Sequence, residues 1–111
     1  MIHEGEIKPG MRTHRLKCWP EPFQAIMDGR KCFEFRKNDR GFAVGDFLEL
    51  VEWEPSPLTK SIGLPEGGLT GRSLLARVTY VLIGGYGVPD GYAVLSIYTG
   101  PSDVRLPTNP L

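Results

Sequence analysis

The chain is expected to form a mixed α/β domain that is mainly β, folded as a compact barrel or a curved sheet. Three observations lead there. Stretches of period-two alternation recur at short spacing between residues 14 and 98, the pattern of half-buried strands. One early stretch carries the i, i+3, i+4 apolar spacing of a helix. The length, 111 residues, suits one domain with a real core and leaves no room for a second.

Residues 1–12 read as a loose leader. Residues 14–19 are the first strand, with His14, Leu16 and Cys18 on one face and Arg15 and Lys17 on the other. Pro20 and Pro22 stop that strand but suit the first turn of a helix, expected over residues 22–28 with Phe23, Ile26 and Met27 on its apolar side. Gly29 supplies the left-handed position that closes it. A second strand covers residues 31–36, with Phe33 and Phe35 opposed to Cys32, Glu34 and Arg36. Polar residues 37–41 and the Val44-Gly45-Asp46 stretch are turns. A third strand runs over residues 47–53, where Phe47, Glu49, Val51 and Trp53 oppose Leu48, Leu50 and Glu52. Residues 54–71, rich in Pro, Gly, Ser and Thr, read as a long excursion within the 13–98 domain. Strand pattern returns over residues 73–83 and 92–98, joined by the glycine-rich residues 84–91, and residues 99–111 form an extended tail.

Thirteen basic and thirteen acidic residues cancel, which argues against a coat of non-specific nucleic-acid-binding charge but leaves a local basic cleft open. Basic residues crowd between Arg12 and Arg40. Cys18 and Cys32 are too few for a disulfide framework and lack zinc-site spacing, so both are expected as reduced thiols. Nothing points to a metal or an organic cofactor. No apolar run approaches the roughly 20 residues of a membrane span, and no signal-type stretch opens the chain, so a cytoplasmic location is expected.

The most informative stretch is Gly29 to Arg36. Lys31 follows the helix-closing glycine by two residues, and Glu34 and Arg36 share one strand face. At a helix-to-strand junction these three present an ammonium, a carboxylate and a guanidinium to one space. Such a trio suits a phosphate on the cations and a base amino group on the carboxylate. It equally suits a surface salt bridge, worth about 0–1 kcal/mol when exposed. The residues alone leave both readings open.

The spacing Gly29-x-Lys31-x-x-Glu34-x-Arg36 resembles the signature of ASCH domains, a branch of the PUA-like fold. The resemblance extends upstream through His14-x-Leu16-Lys17 and the Phe23/Ile26 helix. Downstream it takes in residues 36–40, 44–46, 77–82 and 91–97, so that it covers most of residues 14–98. It is nearest to a short ASCH-like family of bacteria and their phages. The resemblance implies a PUA-like pseudo-barrel of five or six strands with one short helix after the first strand. It also implies a cleft for RNA or a nucleoside or nucleotide, lined by Lys31, Glu34 and Arg36 together with Lys17. One ASCH branch removes the acyl group of N4-acetylcytidine with a threonine where this chain has Glu34. A carboxylate there cannot repeat hydroxyl attack, although it can serve as general base for water beside Lys31.

Other candidates carry competing readings. His14 is a structural residue or a general base. Arg36, Lys37 and Arg40 track a phosphate backbone or form a solvated turn compensated by Asp39. Residues 84–91 lack the G-K-[ST] ending of a phosphate loop and are expected to be a wide turn, with Tyr86 a stacking residue if the turn borders the cleft. Trp19 and Trp53 are expected in the core. The leading expectation is therefore an RNA- or nucleotide-binding module using Lys17, Lys31, Glu34, Arg36, Arg40 and Tyr86. The alternatives are a hydrolase of a modified nucleobase, with Lys31 and Glu34 as catalytic candidates, and a phage-derived interaction domain binding through residues 54–71.

Overall fold

The computed structural model describes residues 10–55 and 67–100. Its elements are β1 (Thr13–Cys18), α1 (Pro20–Met27), β2 (Phe33–Lys37), β3 (Phe47–Pro55), β4 (Gly67–Ile83) and β5 (Tyr92–Tyr98). The strands form one sheet in the order β1-β3-β4-β5-β2, curled into a half-barrel. β1 runs parallel to β3, and the other pairs are antiparallel. This is the mainly β pseudo-barrel with one short helix expected from the sequence.

Period-two alternation selects the inner face. Leu16, Cys18, Leu48, Leu50, Ala76, Val78, Ala93, Leu95 and Ile97 are buried there with Phe23 and Ile26 of α1. α1 begins two residues earlier than expected because Pro20, not Pro22, takes its first position, with the extended Trp19 as N-cap. Its other end is a Schellman closure. Gly29, at φ 78°, donates to the Ile26 carbonyl at 3.0 Å, and Arg30 donates to Ala25 at 2.9 Å.

The strands around the expected excursion are longer than the sequence suggests: β3 continues to Pro55 and β4 starts at Gly67, pairing Trp53 with Leu69 and Pro55 with Gly67. Residues 56–66 of that excursion lie outside the described residues, as do residues 1–9 of the leader and 101–111 of the tail. Residues 84–91 form the turn between β4 and β5. Tyr86 stands in it with a left-handed backbone (φ 50°) and 94% exposure.

Where the leader meets β1, its backbone is tied to Asp46, which is fully buried. The Asp46 carboxylate accepts from the N–H of Gly10 (2.6 Å), Arg12 (3.2 Å) and Ala43 (3.1 Å) and from His14 Nε2 (2.9 Å). Gly45 (φ 97°) permits this approach, since a side chain there would strike the Gly10 carbonyl. His14 is thus a satisfied structural residue, packed edge-on against the Phe42 ring at 4.8 Å. Phe42, between the two expected turns, belongs to the core.

Burial pushes the Asp46 carboxyl up, but the hydrogen bonds from His14 and the three backbone amides outweigh it and hold it below its ordinary value of 3.8. A depressed carboxyl contributes stability above its unfolded value, and that contribution is lost as pH falls through the folded one. Asp46→Asn aims an amide at existing donors, so chemical denaturation at pH 7 is expected to show a loss of roughly 3 kcal/mol. The variant's stability is also expected to fall less steeply than that of the wild type below pH 4, the window set by this carboxyl.

Candidate functional site

Curling the sheet brings its two edge strands, β1 and β2, to either side of a seam closed by side chains. Arg36 Nη2 donates to the Lys17 carbonyl at 2.8 Å, and Arg40 Nη1 donates to the Arg15 carbonyl at 3.2 Å. The edge-strand carbonyls are thereby satisfied without a backbone ladder. The Arg36/Lys37/Arg40 group divides accordingly: both arginines are latches across the seam, while Lys37 is exposed.

β2 is inverted relative to its neighbours. Register with β5 pairs Glu34 with the buried Leu95, so Glu34 and Arg36 face inward while Phe33 and Phe35 face outward. Glu34 is only 4% exposed, whereas Phe33 and Phe35 are 47% and 50% exposed. The Glu34 carboxylate accepts from Lys31 Nζ through Oε1 and from Arg36 Nε through Oε2, each at 2.8 Å. Both partners are mostly buried, which makes these charge-assisted bonds stronger than the exposed salt bridge considered from the sequence.

Beside the seam lies a cavity of about 370 Å³, lined by Lys17, Trp19, Pro22, Lys31 and residues 33–36 over a floor formed by Cys18. Four expected site residues, Lys17, Lys31, Glu34 and Arg36, are thus brought together. Arg40 stands at the seam outside this lining, and Tyr86 on the β4–β5 turn is also outside it. Among the lining residues three cations face one carboxylate, so a neutral chain carries a locally positive cleft.

Sequence reasoning missed the aromatic share of this site. Trp19 was expected in the core but is 52% exposed and lines the cleft, because the chain turns at Pro20 and directs the N-cap outward. Trp53 is also displaced from the core. It is partly buried on the outer face, where its ring lies 6.5 Å from that of Trp19 and under Lys17 Nζ at 5.1 Å. Trp53's position in the alternation, shared with Glu49, was the signal that it faces out.

A second polar cluster braces the helix. Glu52, buried on β3, accepts from Thr70 Oγ1 (2.6 Å) and from Arg72 Nε (2.9 Å) and Nη2 (3.1 Å). The Arg72 guanidinium also lies 5.0 Å from the Phe23 ring and donates to Gln24. The Arg72 and Thr70 hydrogen bonds hold the Glu52 carboxyl below its ordinary range. Among the described residues, no group of three His, Cys, Asp or Glu side chains is placed to hold a metal ion. No described helix is long and apolar enough to cross a membrane.

The fold and site define a small β half-barrel with a cationic, aromatic-rimmed cleft at its seam. The chain belongs to the family described as Domain of unknown function (DUF3850), whose model matches residues 13–97. It is also similar to the uncharacterized 12.9 kDa protein in the GpA 3' region of Escherichia phage P2. The two are 36% identical over 70 residues, covering 63% of this chain and 54% of that protein. The match therefore spans about half the length of the phage protein.

Two predictions follow from the cleft floor. Burial, and next the Glu34 charge, push the Cys18 thiol up to about 11 against the opposing pull of Lys31 and Arg36. Cys18 is therefore protonated at neutral pH and a poor nucleophile. Thiol titration of the native protein at pH 8 is expected to detect Cys32, which is exposed, and to reach Cys18 only in denaturant. Glu34→Gln removes a charge that raises the thiol while leaving the two cations. Cys18 alkylation is then expected to speed up at pH 8, accompanied by a lower melting temperature.

Proposed function

We propose that the seam cleft binds RNA, or a nucleotide-sized piece of it, and that the domain is a binding module. The observation that carries this reading is the pairing of positive charge with exposed aromatic rings in one cavity of a chain with no net charge. Lys17 and Lys31 offer ammonium groups to phosphate. Trp19 and Phe33 offer faces on which a base stacks without strong sequence preference. The resemblance to ASCH domains, and through them to the PUA-like fold, adds support. It rests on Gly29, Lys31, Glu34 and Arg36 in order along a chain of matching fold class.

A hydrolase reading has less support. Glu34 is only 4% exposed and already accepts from a cation on each oxygen, leaving little room for a water to be activated there. The reading as an interaction domain centres on residues 54–71, most of which lie outside the described residues.

The test is a thermal-shift and calorimetric screen of nucleosides, nucleotides and short single-stranded RNAs on wild type and Lys31→Ala. Lys31 is the better probe because Arg36 also latches the seam. A nucleotide or RNA is expected to stabilise the wild type and to bind Lys31→Ala about tenfold more weakly, the worth of one charge-assisted contact of roughly 1.5 kcal/mol. Failure of every nucleotide and RNA to bind the wild type would overturn the reading. Release of acyl group from an acylated nucleoside, lost in Glu34→Gln, would replace binding with hydrolysis.

A further inference from the structure

A second cavity, of about 400 Å³, lies on the outer face of β1, β3 and β4, lined by Arg15, Lys17, Val51, Trp53 and Leu69 with the backbone of residues 67–68. Lys17 lines both this cavity and the seam cleft. Its ammonium stands over the Trp53 ring at 5.1 Å, and the Trp19 ring of the seam lining lies 6.5 Å from the Trp53 ring of the outer lining, inclined at 41°. Each volume is at the small end for a ligand pocket, the size for one nucleotide rather than an extended ligand. Across both linings Arg15, Lys17, Lys31 and Arg36 stand with one lining carboxylate, Glu34, while Glu49, outside the linings, pairs with Arg15 at 3.8 Å. That charge pattern repels an acidic lining's usual cationic ligands and suits a polyanion threaded past Lys17.

We infer that the two cavities are consecutive subsites of one track, so that the ligand is a single-stranded nucleic acid of at least two nucleotides and not a free nucleoside or mononucleotide. Trp53 is the stacking platform of the second subsite, Leu69 its apolar wall, and Lys17 holds the phosphate between the two bases. This rests on the reading of the seam cleft given above and deepens it, because the first cavity alone suits a free nucleotide equally well.

The experiment measures calorimetric affinities of UMP, the dinucleotide UpU and tetrauridylate, with their deoxythymidine counterparts. They are measured on the full chain as wild type, Lys31→Ala, Trp53→Ala and Leu69→Glu. Lys31→Ala is expected to weaken all ligands. Wild type is expected to bind the tetranucleotide at least tenfold tighter than UMP, and Trp53→Ala to lose about tenfold on it while binding UMP unchanged. Leu69→Glu, at a surface position, is expected to weaken the tetranucleotide more than UMP and keeps the test valid if Trp53→Ala fails to fold. Stronger binding of the ribose series identifies the strand as RNA, and equal binding extends the track to single-stranded DNA; both support it. Equal affinity for UMP and tetranucleotide, or an oligonucleotide gain retained in both outer-face variants, overturns the track and leaves the seam cleft as a nucleotide site. Failure of all these ligands on the wild type overturns both.

Discussion

The inward-facing carboxylate of Glu34 sets the arrangement of everything at the seam. Its two oxygens bind Lys31 and Arg36, and Arg36 reaches on from there to the Lys17 carbonyl of the opposite edge strand. A carboxylate this buried is costly unless its charge is paired and each oxygen is hydrogen-bonded. Here both conditions are met by groups that then do a second task. Arg36 holds β1 to β2 without a strand ladder, and Lys31 is fixed at the cleft mouth with its ammonium 4.9 Å from the Phe33 ring. The inversion of β2 follows from the same bond. If Glu34 faces in, the strand's alternation obliges Phe33 and Phe35 to face out, and the aromatic rim of the cleft is a consequence of the charge beneath it.

The same principle organises the rest of the charge. Asp46 is surrounded by amides and His14, and Glu52 by Arg72 and Thr70, so two of the buried carboxylates are absorbed in fastening backbone and helix. Among the residues lining the two cavities, Glu34 remains as the one acid against four cations. A formal net charge of zero therefore describes the sum and not the surface that a ligand meets. Neutrality excludes a uniformly basic coat; it does not exclude a cleft lined by more cations than acids.

Legibility from sequence followed the range of the interactions. The strands and the helix were readable because alternation, Pro20/Pro22 and Gly29 are local signals, and Gly29 forms the expected closure. Lys31, Glu34 and Arg36 could be grouped because they lie within six residues at helix-to-strand spacing. The register that pairs Glu34 with Leu95 is a contact between distant strands, so the inversion of β2 could not be read from the alternation alone. Trp19 and Trp53 were misplaced for a similar reason. Aromatic bulk favours the core on average, but the turn at Pro20 and the outward parity of Trp53 decide their faces here. Apart from Ala43, the donors to Asp46 lie 32–36 positions away, so the hub could not be read from local sequence.

The state of each ionisable group bears on whether the seam is built to hold or to react. A general base needs a lone pair that water can reach, and a nucleophile needs its deprotonated form accessible at working pH. Glu34 has donors on both oxygens, and Cys18 beneath it is pushed toward its protonated form by burial and by that same carboxylate. What is left facing outward are N–H donors on Lys17 and Lys31 and the faces of aromatic rings. Such donors and exposed ring faces suit contact with an anion and an aromatic base rather than proton transfer. This is the physical reason to place binding ahead of catalysis in the proposed function. Because Arg36 binds both Glu34 and the Lys17 carbonyl, the latch across the seam does not depend on the Lys31–Glu34 bond.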